Sequence, residues 1–197
     1  MGIISTHDYI LNNSNNENEI VLKSLADEHL PYLYRWNADP EVLYWTEGEE
    51  GLSYSKELVE RIYGGISKDN ICFIIEVNKN IIGECWLQQL NFHQLSSKVR
   101  EMYPKTADVR RIDMCIGEKQ YWGKGIGTLL IEALVEFAFN NQRVDALHCI
   151  CEDYNVRSAR VFEKNGFQKV LTEKLSGNGL GKYRYHLGLT REDYNKK

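Results

Sequence analysis

A run of alternating glycines is the first feature of the sequence that could do chemistry. Gly123, Gly125 and Gly127 stand between a strand-like stretch and the start of a strongly periodic helix, with Lys124 among them. Backbone N–H groups are exposed where a helix begins and its dipole favours negative charge, while glycines let an anion approach closely. The spacing fits neither a Walker phosphate loop nor the dinucleotide fingerprint. The run predicts a pyrophosphate held by backbone amides, or else a tight strand-to-helix turn.

One carboxylate, Asp113, interrupts the apolar run of residues 112–116. A charge in such a strand is costly unless it has a partner or a task. Asp113 could bind an ammonium group, orient it and accept its proton as a nitrogen nucleophile forms. The alternative is a structural ion pair with Arg110 or Arg111.

Further acids and one aromatic ring could line a pocket for a substrate with several positive charges, which carboxylates and flat rings bind well. Any one of them alone is more often a solvated surface group. They are Trp45, Glu47, Glu49 and Glu50 in an early loop, Glu84 in a strand, and Glu152 and Asp153 at the end of a later strand.

The periodicity predicts a mixed α/β framework for these residues. Apolar alternation or apolar runs indicate strands at residues 19–25, 71–77, 81–90, 109–116, 146–151, 167–175 and 183–189. Helical spacing indicates helices at residues 26–36, 55–63, 126–138 and 155–164. We expect residues 1–18 to form a flexible polar arm and residues 19–197 a single domain. Residues 91–107 lack a period, and we interpret them as a long loop and a candidate substrate wall.

Composition excludes several classes of function. The 197 residues carry a net charge of −4 and 43% hydrophobic residues, which is ordinary for a globular protein and argues against nucleic-acid binding. The sequence shows neither a membrane-spanning apolar run nor a signal peptide, which predicts a cytoplasmic protein. The five cysteines are expected to be reduced thiols, and the scattered histidines predict no metal site. We expect a monomer or a weak dimer.

Two motif blocks resemble the GCN5-related N-acetyltransferase (GNAT) superfamily: residues 117–127, and residues 155–159 with 162–167. The resemblance implies a mixed, mostly antiparallel central sheet flanked by helices, with an acetyl-CoA loop between the fourth strand and the third helix. This sequence departs from the superfamily pattern at Trp122, where Gln or Arg is common, and at Phe162, where many members have a proton-donating Tyr. The implied acetyl-CoA contacts are Cys115, Ile116, Tyr121, Trp122, Gly123, Lys124, Gly125, Ile126, Gly127, Thr128, Asn155 and Ser158.

A narrower resemblance is to the aminoglycoside 6′-N-acetyltransferases. It rests on residues 103–106 (Tyr-Pro-Lys-Thr), 112–118 and 121–127, on Tyr44-Trp45 with residues 48–50, and on the Trp before the glycine run. This resemblance implies direct acetyl transfer from acetyl-CoA to the 6′-amine of an aminoglycoside antibiotic, which would confer resistance on a bacterium. Its implied base is Asp113, and its implied substrate contacts are Trp45, Glu47, Glu49, Glu84, Asp113, Glu152 and Asp153.

Two alternatives remain open at this point. An acidic, aromatic pocket would equally serve an N-acetyltransferase of polyamines, amino sugars or protein N-termini. A CoA-binding module without catalysis is a second possibility, although it gives no reason for a carboxylate at Asp113.

Overall fold

Eight strands and seven α-helices form the described part of the chain, residues 2–48, 50–176 and 179–196 of a computed structural model. The strands are β1 (Ile10–Ser14), β2 (Glu19–Ser24), β3 (Ile71–Val77), β4 (Asn80–Gln89), β5 (Val109–Ile116), β6 (Ala146–Glu152), β7 (Gln168–Lys174) and β8 (Tyr183–Thr190). The helices are α1 (Leu30–Asn37), α2 (Pro40–Glu47), α3 (Lys56–Ile66), α4 (Ser97–Arg100), α5 (Ile126–Glu136), α6 (Val156–Lys164) and α7 (Arg191–Asn195). A π-helical segment, Phe137–Asn141, follows α5.

The strands form a mixed sheet whose neighbours follow the order β1-β2-β3-β4-β5-β6-β8-β7. The pairs β1/β2, β2/β3, β6/β8 and β7/β8 are antiparallel. Strands β5 and β6 are parallel, with a register that runs over three residue pairs from Val109↔Ala146 to Arg111↔His148. The predicted mixed, mostly antiparallel sheet flanked by helices is confirmed. The predicted fourth strand and third helix on either side of the glycine run correspond to β5 and α5. The numbering differs because β1, α2 and α4 were not among the predicted elements.

The chain groups into two compact units, and the first combines the residues up to Trp86 with Asp113–Leu130. Its core contains Leu25, Leu33, Trp36 and Ile74, all at most 2% exposed. Helix α3 begins at Ser55, whose hydroxyl accepts a hydrogen bond from the Leu58 N–H at 3.2 Å. Apolar side chains from the helices thus cover one face of this part of the sheet.

Helix α2 replaces the early loop that the sequence indicated around Trp45. Pro40 is the first residue of this helix, where its missing N–H costs nothing, and the Asp39 carboxylate accepts a hydrogen bond from the Glu41 N–H at 2.9 Å. The dipeptide Asp39-Pro40 therefore ends one helix and begins another. Trp45 and Glu47 are in consequence held on a helix rather than on a loop.

The second unit combines Leu87–Ile112 with the residues from Ile131 onward. Strand β8 lies between β6 and β7 with antiparallel registers on both sides. The amphipathic helix α6 buries Ala159 and Phe162, and the Phe162 ring contacts Phe167 at 5.1 Å between ring centres.

Residues 91–107 contain more structure than the predicted loop. A 3-10 turn, Phe92–Gln94, and the four-residue helix α4 lie within it. Partly buried Phe92, Leu95, Tyr103 and Ala107 pack against a small core in the same unit. Short apolar contacts of this kind have no repeating spacing, so periodicity does not reveal them.

The N-terminal segment includes a strand within the residues assigned to a flexible arm. Ile10–Ser14 form β1, which pairs with β2 in the register Ile10↔Lys23 to Ser14↔Glu19. Backbone hydrogen bonds hold this strand although its side chains are mostly polar and half-exposed. The flexible arm and the single domain stay predictions.

Candidate functional site

Asp113, the predicted catalytic residue, lies in β5 in a half-buried position in the first unit. The neighbouring Arg110 forms an ion pair with Asp108, through contacts of 2.6 and 2.9 Å. Arg110 is thus held by Asp108, and the alternative of an ion pair between Asp113 and Arg110 or Arg111 stays a prediction.

Glu84 in β4 is the most deeply buried acid near Asp113, with only 5% of its surface exposed. Its Oε1 accepts a hydrogen bond of 3.3 Å from the Tyr63 hydroxyl, which itself accepts one of 3.2 Å from Asn37 Nδ2. Burial, helped by the negative charge of Asp113, raises the pKa of Glu84 to about 8. The indole of Trp86 lies close enough to oppose that rise, although neither Trp86 Nε1 nor Glu84 Oε2 has a partner at hydrogen-bond geometry.

Close contact between β4 and β5 explains how Glu84 reaches this environment. A Cβ on Gly83 would lie 2.2 Å from the carbonyl oxygen of Cys115, so only glycine fits there. The residue after it, Glu84, is thereby held beside β5, in contact range of the side chains of that strand.

A third acid belongs to the same neighbourhood. Burial raises the pKa of the Cys115 thiol well above its ordinary value, and the charges of Glu84 and then of Glu47 add to that rise. Glu47, near the end of α2, therefore acts on the same strand as Asp113. Trp45 lies on the same helix in a half-buried position, and its ring contacts Tyr44 edge-on at 5.1 Å.

The glycine run presents open, exposed backbone in the same unit. Gly123 and Gly125 have φ angles of 74° and 78°, in the left-handed region, and a Cβ on either would meet nothing within 4 Å. Lys124 is exposed, with its Nζ 5.7 Å from the centre of the Tyr121 ring. The backbone is thus shaped for an approaching anion at the first turn of α5.

Hydrogen bonds and buried side chains hold both ends of this run. Trp122 Nε1 donates to the carbonyl oxygen of Ile116 at 2.6 Å, and the N–H of Thr128 donates to the Gly125 carbonyl at 3.0 Å. Ile126 is 1% exposed, so it anchors the run in the core, and Gly127 follows it in α5.

Glu118 and Lys119, just before the glycine run, attach it to the helices. Glu118 Oε1 accepts hydrogen bonds from Trp36 Nε1, at 2.9 Å, and from Arg35. Lys119 Nζ lies 2.8 Å from Asp39 and 2.9 Å from Glu41. None of these anchors was indicated by the sequence.

The remaining predicted residues lie in the second unit, where each has a structural contact. Asn155 is the N-cap of α6, and its side-chain oxygen accepts a hydrogen bond from the Ser158 N–H at 3.2 Å. Ser158 Oγ lies 3.3 Å from Cys151 Sγ. Glu152 pairs with Arg184 at 2.8 Å, and Asp153 accepts from the Lys182 N–H at 2.9 Å.

The structure thus brings Glu47, Glu84 and Asp113 together in the first unit, along with the glycine run. Glu152 and Asp153 belong to the other unit, Glu50 is exposed in a turn, and Glu49 lies outside the described residues. Within the described ranges, no group of three or more His, Cys, Asp or Glu side chains could hold a metal ion. None of the helices described there is long and apolar enough to cross a membrane.

Residues 19–168 match the family described as the acetyltransferase (GNAT) domain. The chain belongs to the GNAT acetyltransferase family. This GNAT chain is 28% identical to an aminoglycoside N(6')-acetyltransferase type 1 of Klebsiella pneumoniae over 159 residues, 79% of this chain and 77% of that protein.

Solved structures share the fold of this GNAT chain. One is AAC(6')-Ib with ribostamycin and coenzyme A, at a TM-score of 0.73 and 24% identity, covering 90% of this chain and 97% of that one. Another is spermidine N-acetyltransferase from Vibrio cholerae with CoA and spermine, at a TM-score of 0.71 and 18% identity, covering 92% and 99%. At such identities the likeness shows the fold alone.

Sequence reasoning about this GNAT domain missed Tyr63 and Trp86, the aromatic partners around Glu84. Their rings contact each other edge-on at 5.4 Å between centres. Both residue types are expected in an ordinary core, so nothing in the sequence sets them apart. A hint was present in Glu84 itself, an acid in an apolar strand, since a buried carboxyl needs polar neighbours.

Proposed function

We propose that this chain transfers the acetyl group of acetyl-CoA to the 6′-amine of an aminoglycoside antibiotic, directly and without a covalent enzyme intermediate. The observation that carries the proposal is the grouping of Asp113, Glu84 and Glu47 in the unit that also holds the glycine run. Carboxyl groups gathered in this way suit a substrate with several ammonium groups, because a carboxylate attracts the positive charge and the carbonyl oxygen of a neutral acid still accepts a hydrogen bond. The similarity to aminoglycoside 6′-acetyltransferases supports the antibiotic as acceptor, with resistance and a cytoplasmic location as consequences.

The first unit fits the pyrophosphate of acetyl-CoA. The backbone around Gly123 and Gly125 is exposed and free of neighbouring atoms, and the first turn of α5 follows at once. N–H groups and the helix dipole favour an anion there, and Lys124 adds a positive charge. The contacts assigned to Asn155 and Ser158 stay predictions.

Asp113 performs the proton transfer in this proposal. An acceptor amine is mainly an ammonium ion at neutral pH, and Asp113 binds that ion, orients it and takes its proton. Acetyl-CoA supplies the thioester carbonyl that the resulting amine attacks. A backbone N–H in the stretch of residues 114–116 donates to the carbonyl oxygen as it gains negative charge. Phe162 is buried and donates no proton, so the thiolate leaves unassisted or is protonated by water.

Release of free CoA thiol from acetyl-CoA, measured with two matched antibiotics, tests the proposal. Neomycin carries a 6′-amine and paromomycin a hydroxyl in its place, so we expect turnover with neomycin alone. Asp113→Asn should lower kcat by about 100-fold or more while acetyl-CoA binding persists. Turnover with both antibiotics would move the reaction to another amine, and unchanged turnover in Asp113→Asn would remove Asp113 from the mechanism.

A polyamine is the second candidate acceptor, because the same group of acids suits a flexible chain of ammonium groups. The fold shared with a spermidine N-acetyltransferase supports it. Spermidine belongs in the same assay: a higher kcat/KM for spermidine than for neomycin would replace the antibiotic as substrate and leave the acetyltransferase. The absence of turnover with either, while acetyl-CoA binds, would direct the search to amino sugars and protein N-termini.

A further inference from the structure

The Glu84 carboxyl is buried and only half satisfied. Its Oε1 accepts from Tyr63, whereas Oε2 is buried without a hydrogen-bond partner. An ionised carboxylate would leave its charge uncompensated at that oxygen, and such an arrangement is strongly unfavourable. A protonated acid needs far less solvation, so the geometry favours the neutral form.

Among the residues that the structure describes, the ionisable groups that interact electrostatically with Glu84 supply no positive charge. They are Tyr63 from α3, Cys72 from β3, Cys85 in β4 itself, and Asp113 and Cys115 from β5. Each is neutral or negative, and the Asp113 charge acts on Glu84 directly. Two neighbouring carboxyl groups in a desolvated place cannot both ionise freely, so one of them keeps a proton.

The two acids differ in burial, which decides where that proton resides. Glu84 is 5% exposed, whereas Asp113 is half-buried and keeps contact with solvent. We propose that Glu84 holds the proton of this carboxyl pair and leaves Asp113 as its one carboxylate, which makes Glu84 a positioning residue for acetyl transfer. The catalytic half of this statement rests on the proposed function; the position of the proton does not.

This assignment differs from the role of Glu84 as a charged substrate contact, and the two roles predict opposite results for Glu84→Gln. Glutamine imitates the neutral acid in size and polarity, so the positioning role predicts a KM for the acceptor amine within about threefold of wild type near pH 7. A carboxylate that binds an ammonium group predicts a KM raised about tenfold or more.

Infrared spectroscopy of the protein without substrate tests the position of the proton. We expect the band of a protonated carboxylic acid at neutral pH, absent in Glu84→Gln and retained in the control Glu136→Gln, which changes an exposed glutamate of α5. In Asp113→Asn the band should persist and titrate away at lower pH, because the neighbouring negative charge is gone. This second variant keeps Glu84, so the test stands even if Glu84→Gln fails to fold.

The kinetic counterpart is the pH profile of kcat/KM from about pH 6 to about pH 9. In the wild type Glu84 loses its proton in this range and the carboxyl pair gains a second negative charge, whereas Glu84→Gln does not. The ratio of kcat/KM in Glu84→Gln to kcat/KM in the wild type should therefore change with pH. A missing acid band, a band that survives in Glu84→Gln, or one whose titration ignores Asp113→Asn would overturn the proposal. An infrared result as expected with no acetyl transfer would instead contradict the proposed function alone.

Discussion

At the scale of single residues, the buried acid Glu84 lowers the free energy of unfolding at neutral pH. The folded protein raises the pKa of Glu84 from its ordinary 4.5 to about 8, so between these values the unfolded chain has lost a proton that the native chain keeps. The contribution of Glu84 to the free energy of unfolding is therefore most favourable below about pH 4.5 and becomes less favourable as the pH rises toward 8. We predict that Glu84→Gln increases the free energy of unfolding by roughly 3–4 kcal/mol at pH 7–8 and little near pH 4.5.

Urea unfolding at the two pH values measures this, with Glu136→Gln as the control for a surface amide. Equal effects of Glu84→Gln at both values would mean that its carboxyl is not protonated in the fold. The sequence indicated Asp113 and Glu84 because acids are rare in apolar strands. It could not indicate Tyr63, since a hydrogen bond across 21 residues leaves no local pattern.

At the scale of elements, local signals indicated most helices and strands, and failed where one signal has two meanings. The spacing predicts one helix that ends before Asp39-Pro40, but the same dipeptide also begins a helix, because Asp caps a helix and Pro suits its first position. Residues 91–107 failed for another reason, since their fold depends on contacts with β5 and β6 that spacing does not record. The glycine run was located correctly because its neighbours on both sides, β5 and α5, are strongly patterned.

The cap of α2 gives a prediction with a matched control. Asp39→Ala removes both the N-cap bond and one partner of Lys119, whereas Glu41→Ala removes only the other partner. We expect the first to lower the free energy of unfolding by about 1 kcal/mol and the second by less than about 0.5 kcal/mol, in urea unfolding. Since α2 carries Trp45 and Glu47, Asp39→Ala should also raise KM for the acceptor amine. Equal losses of free energy of unfolding in the two variants would show that the ion pair with Lys119, and not the N-cap hydrogen bond, stabilises α2.

At the scale of the whole molecule, the division into two units was invisible in the sequence. The boundaries fall inside β4, β5 and α5 rather than in polar linkers. Composition changes at linkers, not within a strand, so no signal could mark them. The net charge of −4 argues against nucleic acid as a partner but says nothing of the pH dependence of stability, which depends on a few buried groups.

A buried chain of hydrogen bonds in the second unit sets the acid limit of that stability. Tyr103 Oη lies 2.9 Å from His148 Nδ1, His148 Nε2 lies 3.0 Å from His186 Nδ1, and His186 Nε2 lies 2.9 Å from Glu173. An ionised Glu173 only accepts, so His186 Nε2 donates to it. When both imidazole rings are neutral, His148 Nε2 then donates to His186 Nδ1, and His148 Nδ1 accepts from the Tyr103 hydroxyl. A further proton on His148 Nδ1 would displace the hydrogen bond that Tyr103 donates, and burial, followed by the charges of His186 and Arg111, lowers the pKa of His148 to about 4.

As the pH falls, His148 therefore becomes protonated near pH 6.5 in the unfolded chain but only near pH 4 in the native protein. Stability is lost as the pH falls through this window, by about 3 kcal/mol from this residue. We predict that His148→Gln is less stable than wild type at pH 7, having lost hydrogen bonds, but has a shallower acid slope in urea unfolding by about one proton. His93→Gln, at an exposed site, is the control and should keep the wild-type slope. An unchanged slope in His148→Gln would assign the acid limit elsewhere. Glu84 in the other unit lowers the stability of the fold as the pH rises above about 4.5, so the two residues together place the maximum of stability between about pH 4.5 and pH 6.5.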